Sequence, residues 1–439
     1  MKFNIIAKIF FTCSFLFLVT NSFSQEKLTL QEAVNIALQN NYDIQINKVY
    51  VNISQNNIDR GKAALLPIVT GNFSTNNTIQ NSSQTLSSGV LQERDGAKNS
   101  NTVYGPVLNW KIFDGFEMFA RLDQLKELQK LEESNLRQTI QQTVIDVISN
   151  YYNLVQQKQQ ITALNTTLEI SRLRLKNSQS RYQIGKAAKL EVLAASVDLN
   201  SDTTNLLRQK DQFRNTKVYL NELMGRNLTA DFTVEDSIVI LKDLVLNQLQ
   251  QNADLLNPAL QAASINQRVA ELNLKQVKAN RYPDVNINTG YNFSKSSSDL
   301  GFARQSTGRG LNYGLTASIN IFNGFLQKKN EKNASFEIDN SKLLYEKTQQ
   351  NVQSQIITLY QTYLTNIELV KLEKQNQDIA KQNLDITLEK FKLGTVAPLE
   401  FREAQRNYIN ANARYSNAQF QAKIAEISLK QISGTINIQ

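Results

Sequence analysis

Hydrophobic positions along this chain fall into two regimes of different period. In "PDVNINTGYNFS", Val285, Ile287, Thr289, Tyr291 and Phe293 alternate with Asn286, Asn288, Gly290, Asn292 and Ser294. In "LNYGLTASINIF", Leu311, Tyr313, Leu315, Ala317, Ile319 and Ile321 alternate with Asn312, Gly314, Thr316, Ser318 and Asn320. A period of two predicts strands with one apolar face and one small, polar face. Tyr104, Leu108, Trp110 and Ile112 share a face in the same way, with Pro106 a local irregularity. The strands run to about ten residues, the span a tilted membrane strand needs. A soluble sheet resting on a core shows the same alternation, but this length suits lipid on one face and water on the other.

The second regime is helical and long. Neither glycine nor proline occurs from Phe116 to Ile184, or again from Phe325 to Leu393. A continuous helix over either stretch reaches roughly 100 Å at 1.5 Å per residue. Leu122, Leu125, Leu136, Ile140, Val144, Val147, Tyr151 and Leu154 recur at helical spacing, diluted by Gln, Asn and Ser. So narrow a stripe suits helix-on-helix packing of a coiled-coil kind, with much surface left in water. Gly185 and Gly394 end the two stretches as helix C-terminal glycines. Pro398 then fits the first turn of a returning helix, where its missing N–H costs nothing.

These elements are written twice. "NWKIFDGF" at Asn109–Phe116 matches "SINIFNGF" at Ser318–Phe325, 209 positions on. Gly394 lies 209 beyond Gly185, and "QISG" lies 209 beyond "ELMG". Pro283, by contrast, stands 216 beyond Pro67. The seven-residue difference falls between Pro67 and Phe113, where "STNNTIQNSSQTLSSGVLQERDGAKNSN" reads as a polar loop. The division expected is a leader at 1–24 and a first repeat at 25–225, with a helix, a strand hairpin at about 67–113 and a helical hairpin at 116–224 turning at 185. A spacer follows at 226–257. The second repeat, 258–434, has its strand hairpin at about 283–322 and its helical hairpin at 325–433 turning at 394, and a tail closes the chain at 435–439.

Composition narrows the chemistry. Lys2 and Lys8, the apolar run Ile9–Val19 and the small Ser22 and Ser24 read as a secretory signal peptide, too short to span a bilayer. Cys13, the single cysteine, lies inside that run without the small residue a lipid-attachment site wants before it. No disulfide framework or thiol chemistry is expected. The chain has no histidine, which removes Ser-His-Asp and Cys-His arrangements and most zinc sites. With no glycine-rich phosphate loop either, no enzyme and no cofactor are expected. Past the leader only Met118 and Met224 remain as soft ligands, so no metal relay is expected. The net charge of +9 is spread among acids and glutamines, as in "QLKELQKLEESNLRQ", which reads as solvated helix surface rather than a nucleic-acid stripe.

Two hairpins supply four strands, and an open four-stranded sheet cannot stand in lipid. Its edges would leave N–H and C=O groups unpaired where no water reaches them. The smallest usual membrane barrel has about eight strands, so two, three or four copies must share one.

At this point the chain resembles the TolC-type outer membrane efflux family, over essentially its whole length past the leader. "LTLQEAVNIALQNNYDIQ" at Leu28–Gln45 resembles the family's opening helix. The "IFDGF" and "IFNGF" corners resemble its strand-to-helix junctions, and "RYQIG" and "KFKLGTVAPLE" its two helix-tip turns. The resemblance implies an α+β membrane protein: a homotrimer with a twelve-stranded barrel, four strands per chain, continued by a long periplasmic α-helical barrel. It also implies that the spacer joins the C-terminal tail in an equatorial belt. The implied function is passive export from the periplasmic side to the cell exterior. An inner-membrane transporter and a periplasmic adaptor hand substrate to the duct, drugs or other small molecules first among them.

Site residues follow from the same resemblance. Tyr182, Ile184, Gly185, Phe391, Leu393, Gly394 and Thr395 form the turns that dock the adaptor. Lys186 after the first glycine departs from the family's pattern. Glu400 and Glu403, six and nine residues past Gly394, match carboxylates that ring the closed pore, and Glu191 matches a partner carboxylate in the first repeat. Ala194 breaks the second acidic pair, and acids near a helix N-terminus are favoured by the helix dipole alone. Phe391 and Val396 stand where the family has a tyrosine and an arginine that tie the tip shut; Arg402 or Arg406 is the candidate replacement, with ordinary helix-surface pairing the favoured alternative for both. The same duct can serve type I protein secretion or metal export. A secreted coiled-coil scaffold is the rival of another class, but it gives the alternating strands no role.

Overall fold

The computed structural model describes residues 26–241, 243–299 and 303–436. The leader expected at 1–24, with Cys13, and the last residues of the expected tail lie outside these. Among the described residues the chain runs β1 (Glu26–Lys27), α1 (Leu30–Asn40), α2 (Tyr42–Asn57), β2 (Ile68–Thr85), β3 (Leu91–Asp114), α3 (Glu117–Gln183) and α4 (Lys189–Leu223). It continues through β4 (Phe232–Thr233), α5 (Leu246–Leu256), α6 (Pro258–Ala279), β5 (Asp284–Ser298), β6 (Gln305–Ser318), α7 (Leu326–Lys392) and α8 (Pro398–Ile432). The two stretches free of glycine and proline are therefore unbroken helices of 67 residues each.

The repeat extends to the caps. Asn41 Oδ1 accepts from the N–H groups of Asp43 and Ile44 at 2.9 and 3.2 Å, starting α2. Asn257 Oδ1 accepts from Ala259 and Leu260 at 2.9 and 3.2 Å, starting α6. An asparagine does this well because its short acceptor reaches the orphan donors of the first turn.

β2, β3, β5 and β6 form one antiparallel sheet in that order. Its register gathers the alternating residues into rows. Phe73, Tyr104, Phe293 and Arg309 stand side by side, as do Val69, Leu108, Thr289 and Tyr313, and then Trp110, Ile287 and Leu315. The Tyr104 and Phe293 rings stack at 5.1 Å. Rows on the other face read Ile68, Asn109, Asn288 and Gly314, and Ser74, Val103, Ser294 and Gly308. The apolar face is bare, with Phe73, Leu311, Tyr313 and Leu315 exposed. From Val285 to Phe293 the greasy rows cover about 26 Å of strand, close to the apolar band of a membrane barrel. No helix among the described residues is long and apolar enough to cross a membrane.

Two expectations need correction here. The strands are not about ten residues long but 18, 24, 15 and 14. The polar stretch after Phe73 is not a loop; it continues the ladder, with Asn76 opposite Asn101 and Thr75 Oγ1 3.1 Å from Thr102 Oγ1. Backbone pairing carries a hairpin onward after its apolar face has ended, and Thr and Asn pairs accept that without a core.

The chain divides into two compact units that cut across the repeats: 1–45 with 139–253 and 353–439, and 46–138 with 254–352. The first unit holds a core of Leu28, Val34, Val144, Tyr151, Leu154, Leu220, Met224, Phe232 and Ile427. The spacer lies on it. β4 pairs in parallel with β1, Tyr363 Oη donates to the Leu241 carbonyl at 2.6 Å, and Tyr360 Oη to that of Leu244 at 3.2 Å. Glu426, fully buried on α8, accepts from the Leu241 N–H at 3.0 Å and from Lys423 and Lys430 at 3.0 and 2.9 Å. Removing a buried charge from such a set leaves the others uncompensated. Glu426→Ala is therefore expected to lower stability by about 3 kcal/mol, and to expose the spacer near Leu241 to limited proteolysis before the helices melt.

Candidate functional site at the helix turns

All four long helices end in one motif. The N–H groups of Gly185 and Lys186 donate to the carbonyls of Tyr182 and Arg181, and those of Gly394 and Thr395 to Phe391 and Lys390. Gly225 and Gly434 close α4 and α8 likewise. Gly185 and Gly394 adopt φ of +73° and +75°, the left-handed conformation that lets the sixth residue's N–H reach back to the first carbonyl. Pro398 opens α8 at its first turn. Both turns present apolar side chains outward: Tyr182, Ile184 and Leu190 in the first repeat, Leu393 and Leu399 in the second.

Phe391 does not belong with that surface. Its ring stacks on Phe401 at 4.8 Å, and both are buried with Leu384. A phenyl ring at this position has no hydroxyl to keep in water, so it folds inward between the helices. Thr395 turns its Oγ1 back to the Lys390 carbonyl at 3.0 Å.

The three acidic residues divide. Glu400 and Glu403 are exposed on the first turns of α8, and Glu403 lies 3.6 Å from Arg406. Glu191 is drawn inward instead, accepting from Ser178 Oγ at 3.1 Å and Arg181 at 3.2 Å. It is thus a tie within the first hairpin, because Arg181 and Ser178 on α3 face the start of α4.

Sequence reasoning singled out Arg402 but missed its partners in the polar cluster that joins the hairpins. Arg402 on α8 forms a two-pronged pair with Asp202 on α4, at 2.8 and 3.0 Å, and lies 3.5 Å from Asp198. Ser171 Oγ donates to Asp202 at 2.6 Å, and Gln405 donates to Ser171 Oγ at 2.8 Å and to the Thr167 carbonyl at 3.1 Å. Arg174 pairs with Asp198. Burial works against the Arg402 charge, but Asp202 and Asp198 outweigh it and hold its pKa above the ordinary guanidinium value. The signal was present as Asp198 and Asp202 at i, i+4 on one helix face, and Arg402 and Gln405 at i, i+3 on another. Nothing local says that the two faces meet. Beside the cluster, Leu173, Arg174, Lys176, Leu388, Phe391 and Phe401 line a groove of about 370 Å³.

This arrangement has known counterparts. Residues 33–226 and 249–435 match the family described as "Outer membrane efflux protein". The chain is 21% identical over 331 residues to the outer membrane protein TolC of Vibrio cholerae, covering 73% of this chain and 74% of that one. It is 19% identical over 407 residues to the outer membrane efflux protein BepC of Brucella suis, covering 92% and 85%. Among solved structures, the outer-membrane channel OprN superposes with a TM-score of 0.76 at 15% identity, covering 92% of this chain and 89% of that one.

The cluster generates its own test. Arg402→Ala strands Asp202, itself buried, and is expected to cost about 3–5 kcal/mol in unfolding experiments. Arg402→Lys recovers little of this, since an ammonium cannot make the two-pronged pair. The Arg402→Met, Asp202→Leu double variant regains most of it.

Proposed function

Because the chain belongs to the outer membrane efflux protein family, channels that run from the outer membrane into the periplasm, we propose that three copies close one barrel and export small molecules passively through it. The observation that carries this reading is the sheet: one bare apolar face, one small polar face, and two outer strands, β2 and β6, with no strand beyond them among the described residues. Closure among copies removes both edges at once. It turns the rows of Asn, Ser, Thr and Gly toward the water inside, and the exposed Phe116, Phe119, Phe322 and Phe325 suit the membrane boundary at the strand-to-helix corners. Drug-like molecules pass such a lining because few of its side chains carry charge.

At the turns, Glu400 and Glu403 from three copies would gather into an acidic constriction. The Arg402–Asp202 pair takes the place of the tie that Phe391 and Val396 cannot make. An inner-membrane transporter would reach the duct through a periplasmic adaptor seated on Tyr182, Ile184, Gly185, Leu393, Gly394 and Thr395. Exposed apolar side chains gathered at a turn favour a protein partner there.

Single-channel recording of the detergent-purified oligomer tests the reading directly, and a species that never conducts would end it. Divalent cations are expected to block the channel from the side of the turns, and the Glu400→Ala, Glu403→Ala double variant to weaken that block by about tenfold. Unchanged block removes the acidic ring. Ile184→Asp with Leu393→Asp should abolish drug resistance in cells while leaving conductance in planar bilayers as it was. Loss of conductance as well would show that these side chains shape the pore rather than dock a partner.

A further inference from the structure

The groove of about 370 Å³ beside the Arg402–Asp202 cluster is built by three helices of one chain: α3, α7 and the start of α8. Its floor is apolar. The buried rings of Phe391 and Phe401 stack there, with Leu388 packed against them. Its charge is all of one sign, since Arg174, Lys176 and Lys392 line it and no carboxylate does. A concave surface of this size, mostly carbon with a few convergent polar groups, is the usual form of a small-molecule site.

The three cations differ in what already holds them. Lys392 pairs with Glu389 at 2.7 Å, one turn back on its own helix. Lys176 is exposed and has neither an ion pair nor a hydrogen bond among the described residues. Arg174 is only 5% exposed. Its Nη1 donates to Asp198, but its Nε is buried and has no acceptor among the described residues. A buried N–H without a partner is costly, and native proteins seldom keep one. Here it belongs to a side chain that lines a groove of carbon and positive charge. A slight turn of the guanidinium would offer Nε to an anionic oxygen in that groove, with Asp198 still in reach of Nη1.

The internal repeat supplies a comparison within the same chain. The positions 209 away read Asn383 for Arg174, Asp385 for Lys176 and Gln183 for Lys392. Gln179 stands in place of Leu388, and Val192 in place of Phe401. Three cations thus give way to one acid, and the apolar floor loses a leucine and a ring. Long paired helices and a glycine turn are common to both halves, so they require neither the cations nor the floor.

We propose that this groove binds an amphipathic organic anion. Arg174 and Lys176 hold its carboxylate, and a compact aromatic body lies on Leu388, Phe391 and Phe401. Every wall comes from one chain, so the site does not depend on how many copies assemble.

The test dialyses the purified full-chain oligomer against naphthylacetate, naphthylethanol and naphthylethylammonium, which share a ring system and differ in charge. Naphthylacetate is expected to bind saturably, and at least about tenfold more tightly than the alcohol or the amine. Lys176→Asp places the counterpart's residue at an exposed position. It is expected to weaken naphthylacetate binding by about tenfold or more, while the helices melt as before. Leu388→Gln should weaken all three probes alike. Equal uptake of the three, or naphthylacetate binding that Lys176→Asp leaves intact, overturns the site. So does a Lys176→p-benzoylphenylalanine variant that cross-links to another protein in cells when the purified oligomer retains no probe, since the groove then belongs to a protein partner. An oligomer that conducts but binds no probe refutes the site alone. One that binds naphthylacetate but never conducts supports the site and refutes the export reading.

Discussion

Every backbone N–H and C=O inside a bilayer needs a partner within the protein, and among the described residues of a single chain no strand pairs with the outer edges of β2 and β6. That deficit governs the rest of the molecule. A sheet that must be completed by copies of itself can afford a largely apolar face, because lipid covers it, and a face rich in small amides and hydroxyls, because water fills what it encloses. It also explains why strands are so long. The ladder continues past Phe73 into Thr and Asn pairs, so pairing is secured before the greasy rows begin.

The helices meet the same deficit in another form. Two helices of 67 residues bearing narrow apolar stripes cannot bury themselves in a core of their own. Beyond the stretch of α3 that enters the core, polar ties hold the helices at intervals: the Arg402–Asp202–Ser171–Gln405 cluster joins α8, α4 and α3 near the turns, and Tyr360 and Tyr363 tie α7 to the spacer. Buried polar ties of this kind contribute little net stability beside an apolar core, but their geometry is exacting. Helices held by them have one preferred register rather than many.

Much of this could be read in advance. Periods of two and of 3.6, the glycines at 185 and 394, and Pro398 fixed the elements and their turns, because each depends on local backbone physics. What stayed hidden depends on which faces meet. Phe391 looked like part of an exposed turn because its neighbours Leu393 and Gly394 are; only the packing against Phe401 draws it inward. Glu191 looked like a pore carboxylate until Arg181 and Ser178, ten and thirteen residues away on the preceding helix, claimed it. Asp202 gave no sign of importance, since its partner Arg402 lies two hundred positions on.

Duplication accounts for the shape of these gaps. A repeated half needs a neighbour on each side; two halves in one chain satisfy one junction and leave one open at each end. Selection on the satisfied junction can then fix small or polar residues where contact is assured, as Ser134 does beneath Pro258. At the open junction the counterpart of Ser134 is apolar and exposed in a single chain, Leu343. The halves thus differ at a position where one contact lies within the chain and its twin is open, while the difference between 209 and 216 falls within the strand hairpin and leaves the helical hairpins in register.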